Sequence, residues 1–219
     1  MSHTVSLTLR MLSDWHIGAG TGRHGHLSRQ VLRDEDRLPF VPAKSLNGVL
    51  RDACEIAARA LDAGTGGRPV WHEWVDYLFG HQAASRPAAA DAVPAHLARH
   101  PRPAAFLYLG PLRMPGDLGP AIARNRRLAD AVTFVKPGVA HDPETGAARE
   151  DMLRFDEMAR GGVILEGAAE LPGGLSEAQL GCARALLWAG ARLVEGIGAN
   201  RRRGSGRCRL DLGGAGLPP

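Results

Sequence analysis

The stretch Ser13–Asp52, SDWHIGAGTGRHGHLSRQVLRDEDRLPFVPAKSLNGVLRD, reads as a strand end, a glycine loop, an extended arm and the start of a helix. Gly18, Gly20, Gly22 and Gly25 let backbone amides approach an anion with no Cβ in the way. Before the loop, Val5, Leu7, Leu9 and Met11 alternate with Thr4, Ser6, Thr8 and Arg10, the pattern of a half-buried strand. After Pro39 and Pro42 the period changes. Leu46, Val49, Leu50, Ala53, Ile56, Ala57, Ala60 and Leu61 form one stripe of an amphipathic helix that ends near Gly64, with Arg51, Asp52, Glu55 and Arg59 on its outer face. Ser45 stands where it can cap that helix, whose free N–H groups make a second anion site.

Working outward, WHEWVDYLFG (71–80) repeats its aromatics at helical spacing and predicts a short helix packed into the core. Residues 81–103 are rich in Ala, Pro and His without periodicity and read as a mobile surface loop. His96 and His100 lie four apart there, but neighbouring prolines and the lack of a third ligand argue against a metal site. Residues 104–114 predict a second strand, and an Arg-rich segment around Ile122–Leu128 a short helix. Val132–Glu157 predicts a projecting, largely unburied hairpin turning at Asp142–Gly146. Val163–Leu171 is a third strand of the core. Ser176 with Gln179 makes a capping box for a helix to about Glu195, and residues 207–212 alternate as a last strand.

The order strand, helix, strand, strand, helix, strand is a ferredoxin-like or RRM-like α+β core. One domain over 1–219 is expected, with insertions at about 65–103 and 132–157. The formal charge of +4 is mild, but Lys44 and Lys136 are the only lysines, and arginine suits bidentate phosphate contacts. Cys54, Cys182 and Cys208 are far apart and unpaired by motif, which fits small core residues in a reducing cytoplasm better than disulfides or a zinc ribbon. No apolar run is long enough for a membrane span, so no membrane partner is expected. Gly20–Gly25 satisfies GxGxxG, yet an arm and two prolines follow it where a dinucleotide fold needs a helix. The loop Gly196–Gly206, GIGANRRRGSG, joins four glycines to three consecutive arginines between a helix and a strand, a combination that favours phosphate binding over a solvated charge run.

Three motifs in order, HIGAG with VLRD and LPFVPAKSLNGVLRDACE, the hairpin segment VTFVKPGVAHDPETGAAREDMLRFDEMARGGVILEG, and GIGANRRRGSGRC, resemble the CRISPR-associated RAMP superfamily. The resemblance is to the backbone subunits of type III (Csm/Cmr-like, III-D among them) effector complexes. It implies a guide-RNA (crRNA) and target-RNA binding subunit in antiviral defence, assembled with other type III subunits, with the hairpin as a thumb. The RNA-binding residues so implied are His16, Gly18, Gly20, Arg23, Lys44, Ser45, Asn47, Arg51 and Asn200, Arg201, Arg202, Arg203. The thumb residues are Phe134, Lys136, Arg149, Met152 and Phe155. In the family's cleaving members an Asp in the arm supports metal-dependent cleavage of target RNA, and the matching position here is Ser28. A serine lacks the charge to hold a divalent ion. The expectation is therefore binding without cleavage at this arm, with no cofactor and no metal site. The alternatives are target cleavage with Mg through Asp34, Asp36 or His26, and a guide-processing RAMP endonuclease using a histidine.

Overall fold

The computed structural model describes residues 2–20, 28–64, 66, 68–80, 105–142 and 144–214. Strand β1 (His3–Met11) buries Val5, Leu7, Leu9 and Met11 and leaves Ser6 and Arg10 exposed, as the alternation requires. It lies between β5 (Ile164–Leu171) and β6 (Cys208–Gly213), and β2 (Tyr108–Leu109) adds outside β5, giving the order β2-β5-β1-β6. All three pairings are antiparallel. Helices α1 (Ala43–Gly64) and α5 (Glu177–Arg192) complete the core with the apolar face of this sheet. Their contact is close: a Cβ on Gly190 would stand 2.3 Å from the Cys54 sulfur. Burial pushes the Cys54 thiol far above its ordinary pKa, so it is an inert core group.

The expected second strand shrinks to two residues, because β2 breaks at Gly110–Pro111 and then resumes as single bridges, Leu112 to Val41 and Arg113 to Glu166. The Arg-rich segment becomes two short helices, α3 (Leu118–Arg124) and α4 (Arg126–Ala131), with the Asn125 side chain accepting from the N–H groups of Arg127 and Leu128 between them. The capping box of α5 forms as read, with Ser176 Oγ accepting from Gln179 N and Gln179 Oε1 from Ser176 N. Helix α1 starts earlier than Ser45: the Pro42 carbonyl accepts from the N–H groups of both Ser45 and Leu46, so Ser45 lies inside the first turn and not at the cap.

Helix α2 (Val70–Phe79) packs Trp74, Tyr77 and Phe79 inward, and Tyr77 stacks on Phe106 at 4.6 Å between centroids. It also corrects the reading of α1. Ile56 (55 % exposed) and Leu61 (38 %) lie outside the core, whereas Cys54 and Ala58 are buried with Arg51 and Asp62. The reason is that α1 grips both ends of α2. Arg51 donates to the carbonyls of Phe79 and Gly80 at its C-terminal end, and Asp62 accepts from the N–H groups of Trp71 and His72 at its start. A cation at the C-terminus and an anion at the N-terminus complement the helix dipole.

Hairpin β3 (Thr133–His141) and β4 (Ala148–Ala159) forms a separate two-stranded sheet. Its turn is closed by Asp142, which accepts from Glu144 N and Thr145 N. Among its described side chains only the base is buried, at Asp156, Met158 and Ala159, where Trp15 and Ala159 exchange backbone hydrogen bonds of 2.9 and 2.8 Å. Arg23, His26, His96 and His100 lie outside the described residues, as do the side chains of Arg149 and Met152.

Candidate nucleic-acid interface

Segments far apart in the chain meet at one place: the glycine loop after β1, the arm 28–33, the base of the hairpin, and the 196–206 loop. The two glycine loops are joined directly. Ala199 N donates to the His16 carbonyl, Gly206 N to the Asp14 carbonyl and Ile197 N to the Gly206 carbonyl. Gly198 (φ +86°) and Gly206 (φ +72°) sit in left-handed conformations where a Cβ would come 2.4 Å from the His16 carbonyl oxygen and 2.0 Å from that of Ile197. Gly198 is thus demanded by the packing of one loop on the other, and Gly206 by the closure of the 196–206 loop on itself. Asn200 (φ 60°) then turns the chain outward, and Arg201–Arg203 form one 3-10 turn with all three residues exposed.

The arm is stitched to β4. Ser28 N donates to the Phe155 carbonyl, Glu157 N to the Arg29 carbonyl, and Phe155 N to Ser28 Oγ at 3.2 Å. Two adjacent carboxylates complete the seam. Glu157 accepts from Val31 N at 2.9 Å, Arg33 at 2.6 Å and Thr133 Oγ1 at 3.3 Å. Asp156, 7 % exposed, takes the Arg29 guanidinium in a two-point contact, through Nε at 2.8 Å and through Nη2, and lies 3.7 Å from Arg154 Nε. The Arg29 hydrogen bonds hold the Asp156 carboxyl below the usual carboxylate range.

Between this seam and the 196–206 loop lies an open cleft of about 460 Å³ lined by Arg29, Arg154, Asn200, Arg201, Arg202 and Arg203. Five of the lining residues are arginines and none is acidic, and the carboxylate that two of them approach, Asp156, is paired with Arg29, so the concavity is strongly cationic. On its other side the same loop borders a wider groove of about 700 Å³ with Val49, Asp52, Ala53 and Ile56 of α1.

The expected site residues divide accordingly. Asn200 and Arg201–Arg203 line the cleft, whereas Gly18 and Gly20 are exposed but are not among its lining residues. His16 itself is 2 % exposed, with Nδ1 hydrogen-bonded at 2.7 Å to the Glu157 carbonyl, so it ties the loop to the hairpin instead of meeting solvent. Lys44 is exposed and Ser45 and Asn47 half-buried at the start of α1, but none lines the cleft. Arg51, expected on the outer face, is buried and ion-paired with Glu55 at 2.9 Å and Asp76 at 3.5 Å; its charge serves the α1–α2 contact. On the hairpin, Lys136 is exposed and Phe155 is 39 % exposed, whereas Phe134 is half-buried under the Arg160 guanidinium at 5.0 Å. Arg29, Arg154 and Asp156 were not singled out from sequence. Their only signal was an extended arm with Arg29, Val31 and Arg33 on one side and the acidic pair Asp156–Glu157 at the hairpin base.

Asp34 accepts from Leu38 N at 2.9 Å and closes a turn, with Asp36 exposed at its tip. Asp34 lies six positions along the extended arm from Ser28, a reach of up to about 20 Å. Among the described residues no group of three or more His, Cys, Asp or Glu side chains is arranged to hold a metal, and no helix is long and apolar enough to cross a membrane.

Comparison with known proteins bears on the whole of this arrangement. No curated protein matches the sequence. Among solved structures, a chain of the type III-B Cmr-beta complex in its apo state aligns with a TM-score of 0.65 and 10 % identity, covering 98 % of both chains. A chain of the type III-B Cmr-beta complex bound to cognate target RNA aligns with a TM-score of 0.63 and 9 % identity over 96 % of this chain and 97 % of that one. At such identities the likeness is one of fold. The RAMP superfamily model matches residues 8–209, from the end of β1 through both glycine loops and the hairpin to the first two residues of β6, and the chain therefore belongs to the RAMP superfamily.

Proposed function

We propose that this protein is a guide-RNA-binding backbone subunit of a type III CRISPR effector complex, and that it grips RNA without cutting target at its own arm. The observation that carries the reading is the arginine cleft, built where the two glycine loops of a RAMP chain meet the base of its hairpin. A concavity lined by five arginines suits a chain of phosphates and makes no demand on base identity. The core order strand, helix, strand, strand, helix, strand, with the sheet order β2-β5-β1-β6, supports a ferredoxin-like single domain whose insertions are α2 with the segment after it and α3 through β4. The likeness to chains of Cmr complexes supports neighbouring type III subunits and target RNA as partners.

The non-cleaving part rests on the chemistry around Ser28. A divalent ion there would need anionic oxygen. Ser28 offers a neutral hydroxyl that already accepts from Phe155 N, its neighbour is Arg29, and the nearest carboxylate along the seam, Asp156, is engaged by that arginine. These residues do not fit a bound magnesium ion. Asp34 and Asp36 stand at the far end of the arm.

The test is to assemble the complex with guide, add matched target and magnesium, and compare wild type with Ser28→Asp. Target left intact by the wild-type subunit supports the reading, and cuts appearing only with Ser28→Asp strengthen it. Wild-type cuts that vanish when Asp34 or Asp36 is replaced would overturn it. Cleavage of repeat RNA by the lone protein would instead assign guide processing.

A further inference from the structure

The hairpin side of the cleft is organised by a carboxylate and a glycine. Arg29, from the arm, and Arg154, from β4, both approach Asp156. Arg29 uses Nε and one terminal nitrogen on Asp156, which fixes its plane and leaves its side chain 38 % exposed; Arg154 touches Asp156 only at 3.7 Å and is 44 % exposed. Arg154 pairs across the hairpin with Gly138, and a Cβ at position 138 would lie 3.1 Å from Arg154 Nε and 3.5 Å from its Cγ. The arginine stem therefore rests on the bare backbone of Gly138. From there its guanidinium lines the cleft opposite Arg201–Arg203.

We propose that Arg29, Arg154 and the 196–206 loop act as a two-sided clamp on the phosphodiester backbone of single-stranded RNA, with Gly138 as the positioning residue that lays Arg154 into the cleft. The proposal rests on the RNA-binding reading above and deepens it, by naming a second wall. One wall is the short turn of Arg201–Arg203. The other is a pair of guanidiniums, Arg29 fixed by its hydrogen bonds to Asp156 and Arg154 laid over Gly138, so that less side-chain freedom remains to be lost when phosphate enters.

The experiment measures binding of the purified full-length chain to a labelled single-stranded RNA oligomer across a salt series. Arg154→Ala should weaken binding about tenfold, as loss of one charge-assisted contact does. It should also flatten the dependence of log affinity on log salt by about 0.7. Gly138→Val leaves the charge unchanged and puts a residue that favours strands into a strand. It should weaken binding by displacing the arginine, yet add nothing in the Arg154→Ala background, a non-additivity that a general folding defect would not produce. Arg29→Lys keeps the charge but loses the planar fork, and should weaken binding with the salt slope retained.

If the triple variant Arg201→Ala, Arg202→Ala, Arg203→Ala weakens binding while the Arg154, Gly138 and Arg29 variants bind like wild type, the clamp is wrong and the RNA-binding reading stands. If wild type binds no RNA, alone or in the assembled complex, both fall. Equal, additive losses from Gly138→Val in the wild-type and Arg154→Ala backgrounds would assign Gly138 a structural role only.

Discussion

The start of α1 and the 196–206 loop carry similar sequence signals and reach opposite ends. Each offers arginine beside glycine and polar residues, and each resembles a phosphate site. In the fold, Arg51 is buried against α2, whereas Arg201, Arg202 and Arg203 all stand in solvent around a cleft. The difference comes from what lies next to each cation in space. Arg51 meets two carbonyls and two carboxylates supplied by α2 and its own helix. The loop arginines follow a left-handed Asn200 that turns them away from the packed seam at Gly198 and Gly206. A cation that closes a buried network stabilises the fold; one held on an outward turn is left for a ligand.

That contrast is broken most easily at Arg51. Removing one partner from a buried ion network leaves the others unpaired and costs about 3 kcal/mol. For a chain of this size Arg51→Ala should lower the melting temperature by roughly 6–12 °C. RNA affinity, measured well below the transition, should be unchanged. A stable Arg51→Ala protein that binds RNA weakly would return Arg51 to the interface.

The converse experiment is the triple alanine variant of Arg201–Arg203. Its melting temperature should match wild type, because the three residues are exposed. If each arginine neutralises one phosphate, the slope of log affinity against log salt should flatten by about 2. A large loss of stability with an unchanged slope would make the turn structural and erase the comparison.

Asp156 sharpens the same contrast through pH, because it is the buried carboxylate nearest the exposed cluster. Its folded-state pKa is lowered, chiefly by the hydrogen bonds from Arg29. The ionised form is therefore favoured by folding, and that stabilisation is present above the ordinary carboxylate value of about 3.9 and lost as pH falls through the lowered one. The melting-temperature gap between wild type and Asp156→Asn should stay constant from pH 7 to about pH 5 and close only below about pH 4. A gap that closes near neutrality would assign the stabilisation to some other group.

The readable parts of the chain were those fixed by local pattern. The alternation of β1, the capping box at Ser176, the turn at Asp142 and the inward aromatics of α2 each depend on neighbours in sequence, and each formed as read. The misread parts depend on elements that meet from afar. The buried arc of α1 rotates because α2 packs against Arg51 and Asp62, so Ile56 is left outside. His16 resembles a ligand-facing residue in HIGAG, yet its ring is held by the Glu157 carbonyl, 141 residues away. The arginine turn was legible because glycines flank it. The other wall was not, since Arg29 and Arg154 become neighbours only when the arm lies along β4.

The smallest expected effect concerns the first turn of α1, where the sequence placed a capping serine. At Ser176 the cap is real: the hydroxyl and the Gln179 side chain satisfy two backbone N–H groups reciprocally. Ser176→Ala should cost about 1 kcal/mol, or roughly 2–4 °C. At Ser45 the carbonyl of Pro42 already takes the N–H groups of Ser45 and Leu46, and the residue is in helical backbone. Alanine is the better helix former there by up to about 0.5 kcal/mol. Ser45→Ala should therefore leave the melting temperature unchanged or raise it slightly, with RNA affinity unaltered because Ser45 does not line the cleft. Thermal melts of the two variants side by side decide the point. A loss at Ser45 as large as that at Ser176 would mean that its hydroxyl satisfies an N–H of the first turn after all, and that the two helix starts are built alike.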